Sequence, residues 1–230
     1  MANSQTGCAG WRRIGAETMG MERLTVYGSA YTRALRTLWM ILELNVDYRH
    51  VPVGPSDRGE LASAQFLALN PNARVPVIEH GEFVLWESLA INLYLARKYP
   101  SAGLAPATLE QEALAWQWTL WANSVLDEPV ITVARHRLLL SKAERDEQLA
   151  DSTWNALKKP FAVLEGALCR QPFLLGSAFT VADLNVASVM YRCLYLDMDE
   201  WPRVGLWLQQ CFSRPAARAA LEMRELKVPS

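Results

Sequence analysis

The sequence predicts an α+β protein of two domains, a small α/β domain followed by an all-helical one. Short β-rich runs occur only before Pro106, and helical patterns separate them. After Pro106 the strand signal nearly vanishes, and apolar residues recur every three or four positions. A chain of 230 residues can bury roughly 70% of its unfolded surface, which is enough for two modest cores.

The α/β domain is predicted to begin with a strand at 24–27, because Leu-Thr-Val-Tyr is β-rich and stops at a glycine. Thr32 can cap the helix that follows, and Asn45 can end it. Alternating apolar and polar residues predict a second strand at 48–53. Two strands joined through a helix imply a parallel pair.

A helical pattern over 59–69 ends at Asn70-Pro71, since the residue before a proline disfavours helix. The segment Asn70-Pro-Asn-Ala-Arg-Val-Pro-Val-Ile-Glu79 then reads as a turn and a short strand interrupted by Pro76. Proline removes a ladder donor and belongs at an edge or a special backbone site, so the Val75–Pro76 bond is a candidate cis peptide.

A second short strand at 83–85 should pair with this one as a hairpin, and a helix should begin at Glu87-Ser88 and run to Tyr99. The first domain is therefore predicted to have the order βαβαββα. Turn-forming residues at 100–106 mark its end.

The second domain is predicted to be helical throughout. A bend is expected near Pro129, a capping-box start at Ser141 and Glu144, and a further helix start at Thr180-Val-Ala-Asp183. The expected helices are 108–140, one from 141, 180–196, 201–212 and 215–223.

Composition excludes several classes of function. A net charge of −1 disfavours nucleic acid or an anionic membrane as the main partner, and no apolar run approaches a membrane span. The four cysteines are far apart without a CxxC pair, which argues against a disulfide framework or a zinc site and favours a reduced, cytoplasmic setting. Residues 1–21 have no strand pattern or signal core, so we expect a disordered extension.

The block from Asn70 to Ser88 resembles the glutathione-binding half of cytosolic glutathione transferases, whose pattern is Asn-Pro-x-x-Lys/Gln/Arg-Val-Pro followed by Glu-Ser. The resemblance covers about 22–222 and points to a bacterial, theta/phi-like, non-cysteine type. It implies a thioredoxin-like glutathione-binding domain at 22–100, a linker at 101–107 and an all-helical domain with the electrophile site at 108–230.

The resemblance implies a role for five residues in binding glutathione. Glu87 and Ser88 match the pair that holds the γ-glutamyl end, and a helix start suits a carboxylate. Val75 matches the residue whose backbone pairs with the cysteinyl unit, and Pro76 holds that backbone open. Arg74 falls near the glycyl carboxylate. The structural alternatives are a helix cap for the pair and a solvated side chain for Arg74.

The thiol-activating residue is left open between two hydroxyls. Counting without gaps from the first strand, Thr32 falls where theta-like enzymes have their serine. A change of one residue in the loop length would bring Tyr31 to that position. Ser29 is a further possibility, but it comes before that position in the loop. Thr32 is favoured, although it can also serve only as a cap. This loop contains no cysteine, which argues against the cysteine-using branches of the family.

The helical domain should supply the wall for the electrophile. The resemblance places Trp116, Arg135 and His136 on the long helix that passes beside the thiol, although tryptophans at this spacing are more often core. His136 has no partners at metal-ligand spacing, and no metal is implied. Thr180 and Asp183 match a helix-start motif that acts in folding.

The implied activity is conjugation of the glutathione thiolate to small apolar electrophiles, with glutathione as cosubstrate and a homodimer as the assembly. The homodimer would place the 88–99 helix of one subunit near the long helix of the other. Two alternatives stay open from the sequence: a glutathione-dependent disulfide or peroxide reductase, and a non-catalytic binding or scaffold protein of the same fold.

Overall fold

The computed structural model describes residues 23–225, and the extension predicted for 1–21 lies outside them. A four-stranded sheet forms the first domain, in the order β2-β1-β3-β4. Its strands are β1 Leu24–Tyr27, β2 Tyr48–Val51, β3 Val77–His80 and β4 Phe83–Trp86.

Pairing in the sheet confirms the predicted topology. β1 runs parallel to β2 and antiparallel to β3, and β3 and β4 form an antiparallel hairpin. The Val75–Pro76 peptide bond is cis, as the sequence suggested. β2 stops at Val51, just before Pro52, because proline has no N–H to donate to a ladder.

Four helices accompany the sheet: α1 Ala34–Leu44, α2 Arg58–Leu61, α3 Ala64–Leu69 and α4 Ser88–Lys98. The single helix predicted over 59–69 is wrong, because the chain forms two short helices there. Ser63 lies between them in an extended conformation and caps α3, since its hydroxyl accepts a hydrogen bond from the Phe66 N–H at 3.2 Å. Asn45 ends α1 in the left-handed conformation, as predicted.

The second domain is helical over its described length. Its α-helices are α5 Leu109–Trp121, α6 Asp127–Ala134, α7 Glu147–Leu168, α8 Val181–Met190, α9 Pro202–Phe212 and α10 Pro215–Glu225. Single π-helical stretches at Ala122–Leu126 and Arg135–Leu139 continue α5 and α6, so the long helix predicted for 108–140 is present with irregular turns. The assignment of 101–107 as the linker between the two domains remains a prediction.

Two predicted helix boundaries were wrong. The Ser141 hydroxyl does bond the Glu144 carboxylate at 2.6 Å, but the pair closes only a 3-10 turn, and α7 begins at Glu147 behind an Asp146 cap. α8 ends at Met190 rather than near Leu196, and a 3-10 segment, Tyr191–Tyr195, continues the chain.

One apolar core runs through both domains, and α1 lies at its centre. Leu38, Trp39, Met40 and Ile41 are at most 1% exposed, because α1 packs against the sheet, α4 and the helical domain at once. Between residues 23 and 225 there is no helix with the length and apolar character of a membrane span.

Asp183 organises the start of α8. Its carboxylate is fully buried and accepts hydrogen bonds from the Leu174 and Thr180 backbone N–H groups, at 2.8 and 3.0 Å, and from the Trp207 indole at 3.1 Å. Burial raises the pKa of Asp183, although these hydrogen bonds act in the opposite direction. The helix start predicted at Thr180 and Asp183 is present, and the two residues form a capping box there. Asp183 thus joins α8, α9 and the connection before them.

Asp183→Ala should lower the free energy of unfolding by roughly 3 kcal/mol, because it leaves buried Leu174 and Trp207 donors without acceptors. Urea denaturation measures the loss. Asp199→Ala, at an exposed position, is the control and should stay within about 0.5 kcal/mol of the parent protein. Equal stabilities of the two variants would contradict a folding role for Asp183.

Candidate functional site

The register of the sheet brings three predicted segments to one end of it. Val77 of β3 pairs with Tyr27 of β1 and with Trp86 of β4. The loop after Tyr27, the cis-proline turn before Val77 and the helix start after Trp86 therefore meet at the same sheet edge. These are the segments that carry the hydroxyl, Val-Pro and Glu-Ser residues of the sequence.

Gly28 allows two of these segments to approach closely. It has a φ of +136°, and a Cβ added there would lie 2.5 Å from the Ala34 Cβ and 3.1 Å from the Val75 Cβ. Any other residue would clash with α1 and with the cis-proline turn. The glycine after β1 is thus required by the site's packing, which the sequence did not indicate.

Asn70 fixes the turn that presents Arg74 and Val75. Its side chain is buried, donates a hydrogen bond to the Arg74 carbonyl at 2.7 Å and accepts one from the Asn72 N–H at 3.0 Å. Ala73 in this turn has a φ of +52°, which is costly for a residue with a Cβ. The asparagine side chain therefore holds a strained turn in place.

The start of α4 has the features of a ligand site. Glu87 precedes it with a φ of +75° and is exposed, whereas Ser88 is 4% exposed. Within residues 23–225 the Ser88 hydroxyl has no hydrogen-bond partner. A strained backbone beside an unpaired hydroxyl and a helix N-terminus suits an anionic group.

A cavity of about 620 Å³ lies between the two domains, within the usual size of small-molecule sites. Tyr31, Thr32, Arg74 and Val75 line it from the α/β domain, as does the start of α1. The helical domain contributes α6, the end of α8 and the 3-10 segment after it. Four of the residues predicted from the sequence therefore share one cavity, while Glu87 and Ser88 lie at the sheet edge and do not line it.

The two candidate hydroxyls differ in their surroundings. The Thr32 hydroxyl donates to the Ser29 carbonyl at 2.7 Å and accepts from the Ala34 N–H at 3.1 Å, so it is held in the turn before α1. The N-cap residue itself is Arg33, one position after the cap expected from the sequence. Tyr31 is 48% exposed, and the Arg224 guanidinium lies 5.6 Å from its ring. Thr32 is held in place, whereas Tyr31 stands at the mouth of the cavity.

None of the three predicted wall residues lines this cavity. Trp116 is 46% exposed on α5, Arg135 is exposed, and the His136 Nδ1 accepts from the Asp146 N–H at 3.0 Å. Their role in binding the electrophile stays a prediction. On the side of the helical domain, Ile131, Tyr191 and Arg192 are among the residues that line the cavity.

Comparison with known proteins assigns the family. The model of the glutathione S-transferase N-terminal domain matches 22–97, and that of the C-terminal domain matches 128–215. Glutathione S-transferase GstB of Escherichia coli K12 is 30% identical over 200 residues, which covers 85% of this chain and 96% of that protein. The chain belongs to the glutathione S-transferase family.

Two further relatives agree with this glutathione S-transferase assignment. Glutathione S-transferase 4 of Zea mays is 31% identical over 206 residues, covering 86% of this chain and 92% of that protein. The crystal structure of the theta class glutathione S-transferase from Xanthomonas axonopodis pv. citri, with glutathione bound, is similar at 28% identity and a TM-score of 0.79. The superposition covers 87% of this chain and 97% of the Xanthomonas chain.

A buried ion-pair cluster joins the two domains of this glutathione S-transferase beside the cavity. Asp127 of α6 bonds Arg36 of α1, and its other oxygen accepts from the Arg33 Nε at 3.0 Å. Arg33 also reaches Glu128 at 2.7 Å. Arg36 and Asp127 are each 4% exposed, and burial lowers the pKa of Arg36.

Sequence reasoning missed this cluster, and only part of it had a signal. Arg33 and Arg36 are three residues apart at the start of an otherwise apolar helix, which could have indicated a buried acidic partner. Nothing near Asp127 or Arg192 in the sequence indicates which side chains they face. The packing of the helical domain alone determines that.

Asp127→Asn should lower the free energy of unfolding by about 3 kcal/mol, because it leaves the buried Arg36 without its counter-charge. Asp151→Asn is the matched control, since its 2.8 Å pair with Arg137 is largely exposed and should cost less than about 1 kcal/mol. Chemical denaturation compares them. Similar small losses would show that the charge on Asp127 is not needed for stability.

Proposed function

We propose that this protein is a glutathione transferase that conjugates the thiolate of glutathione to small, mainly apolar electrophiles. One observation carries the proposal: the cis-proline turn, the start of α4 and the start of α1 meet at one sheet edge beside a cavity between the domains. The names of the relatives, and the glutathione bound in the theta class structure, support the same activity.

Glutathione would lie along the sheet edge in an extended form. Its γ-glutamyl carboxylate would meet the Ser88 hydroxyl and the α4 N-terminus, and its ammonium would pair with Glu87. The Val75 backbone, held by Pro76, would pair with the cysteinyl unit as an added strand. Arg74, which is exposed at the cavity, would face the glycyl carboxylate.

The sulfur would then lie near Thr32. The Thr32 O–H can rotate from the Ser29 carbonyl toward the sulfur, while the Ala34 N–H keeps its oxygen in place. A thiolate is the stronger acceptor because it is charged, so the exchange favours the reactive form. Among residues 23–225, the side chains that line the cavity include the hydroxyls of Tyr31, Thr32, Ser188 and Tyr191 and no cysteine.

A homodimer and a cytoplasmic setting belong to the same proposal. Exposed Phe83 and Trp86 on β4, and exposed Trp116 and Leu120 on α5, are apolar surfaces of the kind that pairing between subunits would cover. Trp116 would then serve the interface. Cys193 and Cys211 are buried free thiols, which suits a reduced compartment.

The wild-type protein should conjugate glutathione to an activated aryl chloride, and Ser88→Ala should raise the Michaelis constant for glutathione tenfold or more, roughly 1.4 kcal/mol. The reason is the loss of the hydroxyl that receives the γ-glutamyl carboxylate. Steady-state kinetics at varied glutathione measures this, and a melting curve checks folding. An unchanged Michaelis constant together with a lower melting temperature would show that Ser88 has only a structural role. A protein that reduces disulfides or peroxides but does not conjugate glutathione would contradict the proposed reaction.

Thr32→Val should raise the pKa of bound glutathione by about one unit, roughly 1.4 kcal/mol, because it keeps the shape and removes the donor. Tyr31→Phe should shift that pKa little. Titration of thiolate absorbance with glutathione bound compares the two variants. A large rise in Tyr31→Phe alone would assign activation to Tyr31 instead, and no rise in either would assign it to backbone N–H groups.

A further inference from the structure

We propose that the preferred electrophile carries an anionic group, such as a carboxylate, on its apolar body, and that Arg192 binds this group. The inference rests on the proposed conjugating function and names the substrate class of the same cavity. It comes from the distribution of charge on the cavity walls and from the surroundings of Arg192.

The cavity walls have a strong excess of positive charge. The acidic side chain among their lining residues is Glu128, and the basic ones are Arg33, Arg36, Arg58, Arg74 and Arg192. Arg33 and Arg36 are compensated by the acidic pair at the start of α6. Arg58 and Arg74 are exposed on the α/β side, where glutathione and its own carboxylates are proposed to bind.

Arg192 lies on the opposite wall, and the acidic group that acts on it, Asp127, is already paired with Arg33 and Arg36. It is half-buried, and its guanidinium lies 4.4 Å from the centre of the Tyr191 ring. In the described part of the chain, no carboxylate lies within ion-pair distance of it. Burial lowers the pKa of Arg192, as do Arg224 and Arg36, while Tyr191 and Asp127 act in the opposite direction. A half-buried cation in this setting gains stability from an anion supplied by a ligand.

The neighbours of Arg192 fit an apolar body beside that anion. Leu35, Ile131 and the Tyr191 ring line the same cavity. Arg224 is already engaged, because it donates to the Ala30 carbonyl at 3.3 Å and lies 5.1 Å from the Tyr191 ring. On this wall, the guanidinium of Arg192 can therefore donate two parallel hydrogen bonds to a carboxylate.

The reaction itself does not involve the anionic group. The glutathione sulfur forms a bond to the electrophilic carbon, and the leaving group, chloride in an aryl chloride, departs with the bonding electrons. The thiol proton goes to solvent. The carboxylate stays unchanged and serves only to hold the electrophile, so its effect should appear in binding and in kcat/KM.

The test compares two electrophiles that have the same leaving group, 4-chloro-3,5-dinitrobenzoate and its methyl ester. Relative to wild type, Arg192→Met should lower kcat/KM for the benzoate at least tenfold more than for the ester, equal to about 1.4 kcal/mol. Arg192→Lys should restore part of that preference. Arg218→Met, at an exposed position of α10 away from the cavity, should leave both substrates unaffected.

The outcomes separate this inference from the proposed function. Equal losses of kcat/KM for the two electrophiles in Arg192→Met would overturn the inference. A higher Michaelis constant for glutathione, measured with either electrophile, would show that Arg192 binds glutathione instead. If wild type conjugates neither compound, the proposed function fails and the inference with it. If Arg192→Met does not fold, inhibition of wild type by 3,5-dinitrobenzoate and by its methyl ester decides: the acid should bind tenfold more tightly, and equal binding would overturn the inference.

Discussion

The contact of Asp127 with Arg33, just before α1, and with Arg36 in α1 is the interaction on which the arrangement of the cavity depends. Removing these charges from water is costly, so the pair is stable only when both domains place their groups together. The other end of α1 is fixed as well, because Arg214 binds Glu43 through two bonds of 2.7 Å. α1 thereby holds one cavity wall at a set position relative to the other.

Buried amides add a second, directional constraint between the domains. Asn185 of α8 donates to the Thr119 hydroxyl at 3.0 Å and accepts from Asn92 of α4 at 2.9 Å. Apolar packing alone would allow the two domains to slide past each other. Hydrogen bonds in an interface without water instead require one relative position of their donors and acceptors. The start of α4, with its strained Glu87 backbone, is therefore held against the helical domain while its N-terminus faces the sheet edge.

The sequence indicated which segments meet at the sheet edge better than which side chains line the helical side of the cavity, for a physical reason. Val75, Pro76, Glu87 and Ser88 are close in the chain, and hairpin pairing alone brings them together. The opposite wall comes from separate helices, and its identity depends on which helix faces point inward. Trp116 illustrates the difficulty, because helical spacing cannot tell an inward face from an outward one.

A local sequence signal cannot separate two roles that the same side chain could have. Thr32 was expected as a cap or as a donor to sulfur, and its hydroxyl already makes both a cap-like and a donor contact. Its hydrogen cannot serve the Ser29 carbonyl and a thiolate at the same time. In the proposed mechanism, thiol activation by Thr32 is therefore an exchange of acceptors, whose net gain is smaller than that of a new hydrogen bond. In that mechanism, the start of α1 and the positive cavity walls would supply the rest of the stabilisation of the thiolate.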